Sequence, residues 1–289
     1  MVQPLVMIKG AGDLASGVAH RLANCGFPLV MLEIAQPTVI RRTISFAEAI
    51  YQQTHTVEGV TAKVAGSLTE VHNILQGGEI AVLIDPQWQS IQTLRPTVVI
   101  DAILAKKNLG TALSDASIVI GLGPGFVAGQ DVHAVIETNR GHYLGSVIYS
   151  GAAQPNTGIP GEIGGYSSER VLRAPSAGIF QSHKGIGDLV QMDEVVASIN
   201  NRPVSAPLSG VIRGMLHDGL FVKEGFKIGD IDPRDVQAHC FSISDKARSI
   251  GGGVLEALIH LLNKGDYPWM QTSKQPFAMS APATNQRPL

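Results

Sequence analysis

The sequence predicts an α/β chain: a mostly parallel sheet with helices on both faces, then a small all-β unit and a closing helix. Three observations carry this expectation. The chain opens on an apolar run, Val6–Ile8, that breaks at Gly10-Ala11-Gly12 into a helix-periodic segment. Further short runs, Leu29–Leu32, Ile80–Ile84, Thr97–Ile100 and Ile118–Ile120, are apolar without alternation, as strands buried on both faces are. The second half repeats itself: Ala174-Pro-Ser-Ala-Gly-Ile-Phe180 matches Ala206-Pro-Leu-Ser-Gly-Val-Ile212 at an offset of 32 residues.

In the opening unit Leu14, Val18, Leu22 and Cys25 fall on one helical stripe, and Glu33 closes the next apolar run 21 residues after Gly12. Strand, glycine turn, helix, strand and acid in that order form the first βαβ unit of a Rossmann-like nucleotide-binding half. Gly10 permits a tight turn, Gly12 lets a pyrophosphate approach the backbone, and Ala15 is the small residue where helix meets strand. The helix N-terminus offers free N–H groups and partial positive charge to an anion. Glu33 stands where a carboxylate accepts from two ribose hydroxyls, which favours NAD-like over 2′-phosphorylated ligands. The candidate cofactor-binding residues are therefore Lys9, Gly10, Ala11, Gly12, Asp13, Ala15 and Glu33; a tight structural turn is the competing reading. Asp13 either places negative charge beside the phosphate or caps the helix. Lys9 and the pair Arg41-Arg42 either offset that charge or are solvated bases. Cys25 reads as a buried thiol.

Pro37–Ser45 is a connector into a short helical pattern around Phe46, Ala49 and Ile50, and Val57–Val64 is expected as one strand. Ser67-Leu-Thr-Glu70 has capping-box spacing, opening a helix that ends at Gly77-Gly78. The next two apolar runs end in Asp85 and Asp101, at the carboxyl ends of strands where doubly wound sheets place their ligands. Asp101 is either a candidate catalytic residue or a turn cap, and Lys106 of the following Lys106-Lys107 pair is a second catalytic candidate facing an anionic ligand, with solvated surface as its default reading; Asp85, before Pro86, leans structural. Gly121-Leu-Gly123-Pro124-Gly125-Phe126 is a second glycine loop without a helix after it. Gly121, Gly123 and Gly125 are added as backbone groups able to approach a ligand. Asp131 and His133 project to one face if extended, an acid–base or metal pair, although an ordinary Asp–His hydrogen bond is favoured and no third ligand is evident. Short strands are expected over Ala134–Glu137 and Tyr143–Tyr149. The Gly- and Pro-rich stretch 151–165 reads as a linker.

The repeat carries Gly187 onto Gly219 and Val190 onto Val222. Two copies of a short β unit suggest a pseudo-symmetric sandwich, which resembles the barrel-sandwich-hybrid fold of biotinyl and lipoyl carriers. Those carriers resemble one another in a hairpin-tip lysine, whereas Ala197–Val204 has none. No covalent biotin or lipoyl group is expected, and a docking module fits better. Ser249-Ile-Gly251-Gly252-Gly253 is either an anion cradle before the apolar helix Val254–Leu262 or a hinge. The expected layout is a nucleotide-binding unit over 1–165, the β unit over 166–240, a helical segment over 241–265, and a flexible tail over 266–289.

The chain has 289 residues, 44% hydrophobic and 16% charged, with a net charge of −2 and 5% aromatics. That argues against a nucleic-acid surface of basic patches and stacking rings. No apolar run approaches a membrane span and no leader pattern opens the chain, so a cytoplasmic protein is expected. The two cysteines, Cys25 and Cys240, form no metal-spaced cluster.

Several stretches together resemble the YqeB-type family of selenium-dependent molybdenum hydroxylase system proteins. They are Lys9-Gly-Ala-Gly-Asp-Leu-Ala-Ser-Gly17, Glu33 to Arg42, Val57-Glu-Gly-Val60, Asp101-Ala-Ile-Leu-Ala-Lys-Lys-Asn-Leu-Gly110, Gly121–Phe126 and Asp131-Val-His-Ala-Val-Ile-Glu137. Pro155-Asn-Thr-Gly158, Lys227-Ile-Gly-Asp-Ile-Asp-Pro-Arg234 and Ser244-Asp-Lys-Ala-Arg248 complete the set. The resemblance implies an accessory role in maturing selenium-dependent molybdenum hydroxylases, with a client enzyme or another cofactor-maturation protein as partner. The ligand at Gly10–Gly17 would be molybdopterin in nucleotide form or NAD, since both present a pyrophosphate. The rival reading is an NAD-dependent oxidoreductase of a small substrate, although no Tyr-x-x-x-Lys or His–Asp set follows the glycine loop. Whether the chain turns over a substrate, and its oligomeric state, stay open at this level.

Overall fold

The computed structural model describes residues 3–158 and 161–265; the expected tail over 266–289 lies outside them. The first unit builds one nine-stranded sheet. β1 (Val6–Lys9) leads through the glycine turn into α1 (Asp13–Ala23) and returns as β2 (Leu29–Glu33). The connector reaches α2 (Ala49–Gln52) by way of two short 3-10 turns. A hairpin follows, β3 (Thr54–Val57) and β4 (Val60–Val64), in place of the single strand expected over Val57–Val64. Glu58 and Gly59, with φ of 44° and 84°, form the left-handed two-residue turn that splits it. α3 (Leu68–Gln76), β5 (Ile80–Ile84), α4 (Ser90–Leu94), β6 (Val98–Asp101) and β7 (Ile118–Leu122) come next. β8 (Val127–Ala128), β9 (Ala134–Ile136), β10 (Val147–Ile148) and β11 (Gly151–Ala152) end the unit. Sheet order is β10-β9-β7-β6-β1-β2-β5-β4-β3.

This sheet corrects the expected Rossmann-like class. It is mixed: β3 with β4 and β9 with β10 are antiparallel at its two edges. The crossovers from β6 to β7 and from β7 to β9 contain no α-helix, only a 3-10 turn and the β8 loop. Helices therefore cover one face across its centre and the other only in part. On one face α1 and the closing helix α5 (Asp245–Lys264) pack over Ile8, Ile100, Ile120 and Ile136. On the other, α3 and α4 cover Met7, Val30 and Val99, while loop residues Phe126 and Val132 cover Val119 and Val135. α5 is thus part of the first core rather than a separate segment.

The glycines expected as a cradle or hinge before α5 lie inside it. A Cβ on Gly253 would sit 2.0 Å from the Gly145 carbonyl oxygen, one on Gly251 3.0 Å from that of Gly17, and one on Gly17 2.7 Å from Ala247 Cβ. Gly17 and Gly251 let α1 and α5 approach backbone to backbone, and Gly253 lets α5 close on the loop between β9 and β10. Ser244 caps α5, accepting from Ala247 N, and Ser67 caps α3 likewise. Each cap is worth about 1 kcal/mol. The reciprocal arm of the capping box, Glu70, reaches Gly66 N. Cys25 is exposed, not buried, because α1 ends at Ala23 and the stripe ends with it.

The second unit comprises β12 (Val171–Arg173), β13 (Gly178–Ser182), β14 (Leu189–Val190), β15 (Val195–Ile199), β16 (Arg202–Ser205), β17 (Gly210–Met215), β18 (Phe221–Val222) and β19 (Lys227–Asp232). They form two four-stranded antiparallel sheets, β12-β19-β17-β14 and β16-β15-β13-β18, around Phe180, Ile199, Ile212 and Ile231. The repeat is visible as β13–β14 against β17–β18 with the second strands exchanged: β13 pairs with β18 and β14 with β17. The expected biotinyl/lipoyl-type barrel-sandwich hybrid is corrected as well. The strands form two separate four-stranded antiparallel sheets, and the pair is sealed onto the first unit along β17. Met215 N donates to Ile40 O at 2.8 Å and Arg42 Nε to Met215 O at 2.8 Å. Tyr51 stacks on His217 with centroids 3.9 Å apart. Among the described residues no helix is long and apolar enough to cross a membrane.

Candidate functional site

Gly10 takes φ +90°, a conformation that glycine adopts without a Cβ penalty. Its N–H donates to Leu32 O, and Ala102 N donates to Lys9 O, so the loop leaves β1 under fixed geometry. Ser16, fully buried, donates to Ala11 O at 3.1 Å and accepts from Phe46 N at 2.7 Å, tying loop to connector. Gly12 is the N-cap of α1, with extended backbone and no side chain to satisfy the first-turn N–H groups. Asp13 does not cap the helix either; it lies in the first turn, 4.0 Å from the Arg41 guanidinium. α1 therefore presents an uncapped N-terminus, the arrangement that attracts anions.

Two cavities meet at that terminus, sharing Gly12, Asp13, Leu14 and Val39. The first, about 370 Å³, is a groove over the carboxyl ends of β1, β2 and β6, walled by Glu33, Ile34, Asp85, Trp88 and Leu104. The second, about 390 Å³, lies between the two units and is rich in arginine and lysine. Trp88 and Leu104 hold φ of 59° and 60°, left-handed backbone that costs a non-glycine residue roughly 1–2 kcal/mol. Such strain collects where a site needs it.

Gly10, Gly12, Asp13, Ala15 and Glu33 line the groove together. The Glu33 carboxylate accepts from Ala11 N and from Ile34 N, each at 2.8 Å. Burial pushes its carboxyl above the usual range, and those two N–H bonds pull it back. It braces the glycine loop while keeping further lone pairs for a ligand hydroxyl. Asp85 also lines the groove, and its Oδ2 accepts from Ser90 N at 2.7 Å, the turn-capping role expected of it.

Lys9 and Asp101 are brought together, but beneath the groove. They are register partners on β1 and β6, both buried. Lys9 Nζ donates to Thr111 Oγ1 and to Asp115 Oδ2, each at 2.8 Å, and lies 4.1 Å from the Trp88 ring. Thr111 Oγ1 in turn donates to Asp101 Oδ2 at 2.6 Å. Lys9 is neither a solvated base nor a phosphate contact; it supports the Trp88 wall from below. The Arg41-Arg42 pair is not solvated either. Arg41 donates to His239 O and Ser242 O, and Arg42 to Met215 O.

The other expected residues lie apart. Lys106 is exposed and lines neither cavity. Asp131 Oδ2 accepts from Val127 N at 2.8 Å and His133 Nδ1 from Val119 N at 2.9 Å, so they bond to backbone and not to each other. Burial pulls the His133 imidazole below its usual range. Among the described residues no group of three His, Cys, Asp or Glu could hold a metal. Gly121, Gly123 and Gly125 line neither cavity. A Cβ on them would strike the Phe126 ring at 2.6 Å, Thr138 Oγ1 at 2.4 Å and Lys107 Cα at 2.8 Å; these glycines admit protein, not ligand. Sequence reasoning missed Trp88, Arg170, Arg213, Lys227 and Lys246. The last two lie within stretches that carry the family resemblance, yet nothing local marks them as neighbours of a loop 200 residues earlier.

No family model matches the chain. It is 56% identical over 261 residues to YqeB of Escherichia coli (strain K12), described as an uncharacterized protein. The match covers 90% of this chain and 48% of that one, so this chain spans about half the length of its relative. Among solved structures it is similar to an aspartoacylase family protein from Mesorhizobium loti, with 10% identity, 80% of this chain and 85% of that one covered, and a TM-score of 0.25. A succinylglutamate desuccinylase/aspartoacylase from Rhodobacter sphaeroides shares 12% identity over 79% of this chain and 85% of its own, with a TM-score of 0.26. Likenesses of that size carry no argument about this fold or its chemistry. The molybdenum and selenium terms expected from the resemblance find no support in these comparisons. With 56% identity across nine-tenths of its length to that relative, the chain belongs to the YqeB family.

Proposed function

We propose that this chain binds a phosphate-bearing nucleotide in the groove at Gly10–Leu14 and serves as a cytoplasmic accessory protein that holds the ligand for a client. The observation that carries the reading is the uncapped N-terminus of α1 opening on a groove of about 370 Å³. Free first-turn N–H groups favour a phosphate there, Trp88 and Leu104 offer an apolar wall to a base or pterin ring, and Glu33 faces a ribose. No nucleophile–base pair borders the groove among the described residues, which favours holding over turnover. The pathway, maturation of molybdenum hydroxylases with a molybdopterin nucleotide as ligand, rests on the sequence resemblance alone. Docking through the second unit is supported by Ile179 and Phe221, register partners on β13 and β18 that are 47% and 65% exposed.

Calorimetry with NAD and with molybdopterin dinucleotide tests the reading. Saturable binding of either at micromolar to millimolar concentration, lost in Gly12→Val, is the expected result. Absence of binding by both would reduce the loop to a structural turn. NAD binding accompanied by oxidation of added small substrates, with NAD reduced to NADH, would favour the oxidoreductase instead.

A further inference from the structure

We propose that the cleft between the two units seats a second, multiply charged phosphate group, a phosphomonoester or pyrophosphate, carried by the ligand whose first phosphate meets α1. This rests on the proposed binding at the glycine loop and narrows its ligand class: a nucleotide with a further dense anionic end fills both cavities, whereas NAD or molybdopterin dinucleotide, whose phosphates are diesters, fills the groove alone.

The cleft is lined by six bases, Arg41, Arg140, Arg170, Arg213, Lys227 and Lys246, against two acids, Asp13 and Asp230. Asp230 is taken by Arg170 in a buried pair, and Asp13 comes no nearer than 4.0 Å to Arg41. Arg213 is only 7% exposed, yet its nearest acid, Asp232, is 3.6 Å away and is held by Arg234 at 2.6 Å. The buried Nε atoms of Arg41 and Arg213 have no partner among the described residues. Lys227 and Lys246, both half-buried, make no side-chain hydrogen bond or ion pair there. Burial pulls the Lys227 and Lys246 ammonium groups below their usual range, and burial together with Arg41 does the same to the Arg213 guanidinium.

Arg170 and Arg140 are paired, with Asp230 and Asp245; leaving the charge of Arg213, Lys227 and Lys246 desolvated without a close acid is unfavourable. An anion with several oxygens relieves that cost, because each oxygen accepts charge-assisted bonds. The cleft is contiguous with the α1 N-terminus through Gly12, Asp13 and Leu14, so one ligand can span both cavities. Its bases come from the connector, β17, β19 and α5, so the same anion joins the two units.

The test is calorimetry of inorganic pyrophosphate on the full chain, in the wild type, in Lys227→Gln/Lys246→Gln and in Gly12→Val. Among the described residues the lysine pair makes no side-chain bond and its desolvated charge is unfavourable, so the double variant is expected to melt at or above the wild-type temperature. It should lose about tenfold in pyrophosphate affinity per lysine and show a shallower salt dependence. Lys227→Arg/Lys246→Arg should restore most of the affinity. Wild-type affinity in the Gln double variant, with loss in Gly12→Val, would overturn the cleft while leaving the glycine-loop reading intact. Lysine-dependent pyrophosphate binding without any nucleotide binding would support the cleft and sink that reading. No pyrophosphate binding by the wild type at millimolar concentration overturns the proposal.

Discussion

Gly12→Val separates a ligand cradle from a structural turn. Gly12 has φ −67° and ψ −177°, extended backbone that any residue adopts. A Cβ there would meet Val39 Cγ2 at 3.6 Å, an ordinary contact, so the fold has room for the substitution. The structural cost is that of a poor N-cap, about 1 kcal/mol. The functional cost is larger. A phosphate oxygen must come within about 2.9 Å of the first-turn N–H groups, and the valine γ-carbons occupy the space above them. Losing two charge-assisted bonds at about 1.5 kcal/mol each amounts to about 3 kcal/mol, or roughly a hundredfold in affinity. Calorimetry with the nucleotide reads the affinity, and a thermal melt of the same sample reads the fold. A variant that melts within a few degrees of wild type and binds as tightly would refute the reasoning, because the phosphate would then lie elsewhere. Gly10→Ala is the contrast: at φ +90° with Ala102 O at 3.3 Å it strains the fold itself, and its melting temperature should fall.

Other perturbations probe the remaining parts. Gly253→Ala drives a methyl to 2.0 Å from Gly145 O and should cost about 3 kcal/mol by parting α5 from the sheet, seen in urea denaturation. Lys9→Met removes the buried ammonium that bonds Asp115 and Thr111 and should destabilise by about 3 kcal/mol; a melting temperature unchanged from wild type would show that the Asp101–Thr111–Asp115 cluster does not depend on Lys9. Trp88→Ala removes the groove wall and should weaken nucleotide more than tenfold while leaving pyrophosphate binding in place. The hydrogen bond from Arg140 to Asp245 holds that carboxyl down from 3.8 to about 2. Its contribution is therefore complete above pH 3.8 and is lost as pH falls to about 2. Asp245 is mostly exposed, so the contribution is under about 1 kcal/mol. Asp245→Asn should lower neutral stability by no more than that amount and flatten that part of the acid-unfolding curve, so that the variant meets wild type near pH 2.

The legible parts of this protein are those whose cause is local. The run Val6–Ile8 followed by Gly10 and Gly12 specifies a strand, a left-handed turn and a helix start within a dozen residues. Ser67 specifies a cap three residues ahead, and the Ala-Pro repeat marks two equivalent strands, β13 and β17. Misreadings came where a pattern had two local solutions. Val57–Val64 has the composition of one strand, but Glu58-Gly59 folds it into a hairpin. Ser249–Gly253 reads as a hinge until its neighbours are laid beside it, when Gly251 becomes the point where α5 touches α1 and Gly253 the point where it touches the Gly145 loop.

By itself the sequence determined the loop's backbone, a glycine that admits φ +90° and a second with no side chain to cap α1, and it placed an acid at the end of β2, read there as a ribose acceptor and seen in the structure to brace the turn. Those are short-range steric and hydrogen-bonding requirements, written in neighbouring residues. Only the tertiary structure decided what surrounds the loop. It mixed the sheet's edges, sealed the β unit onto the connector, and gathered Arg41, Arg213, Lys227 and Lys246 at one helix end. Packing over such separations is set by shape and burial across the whole chain, and a charge surplus shared by four elements exists only once they meet.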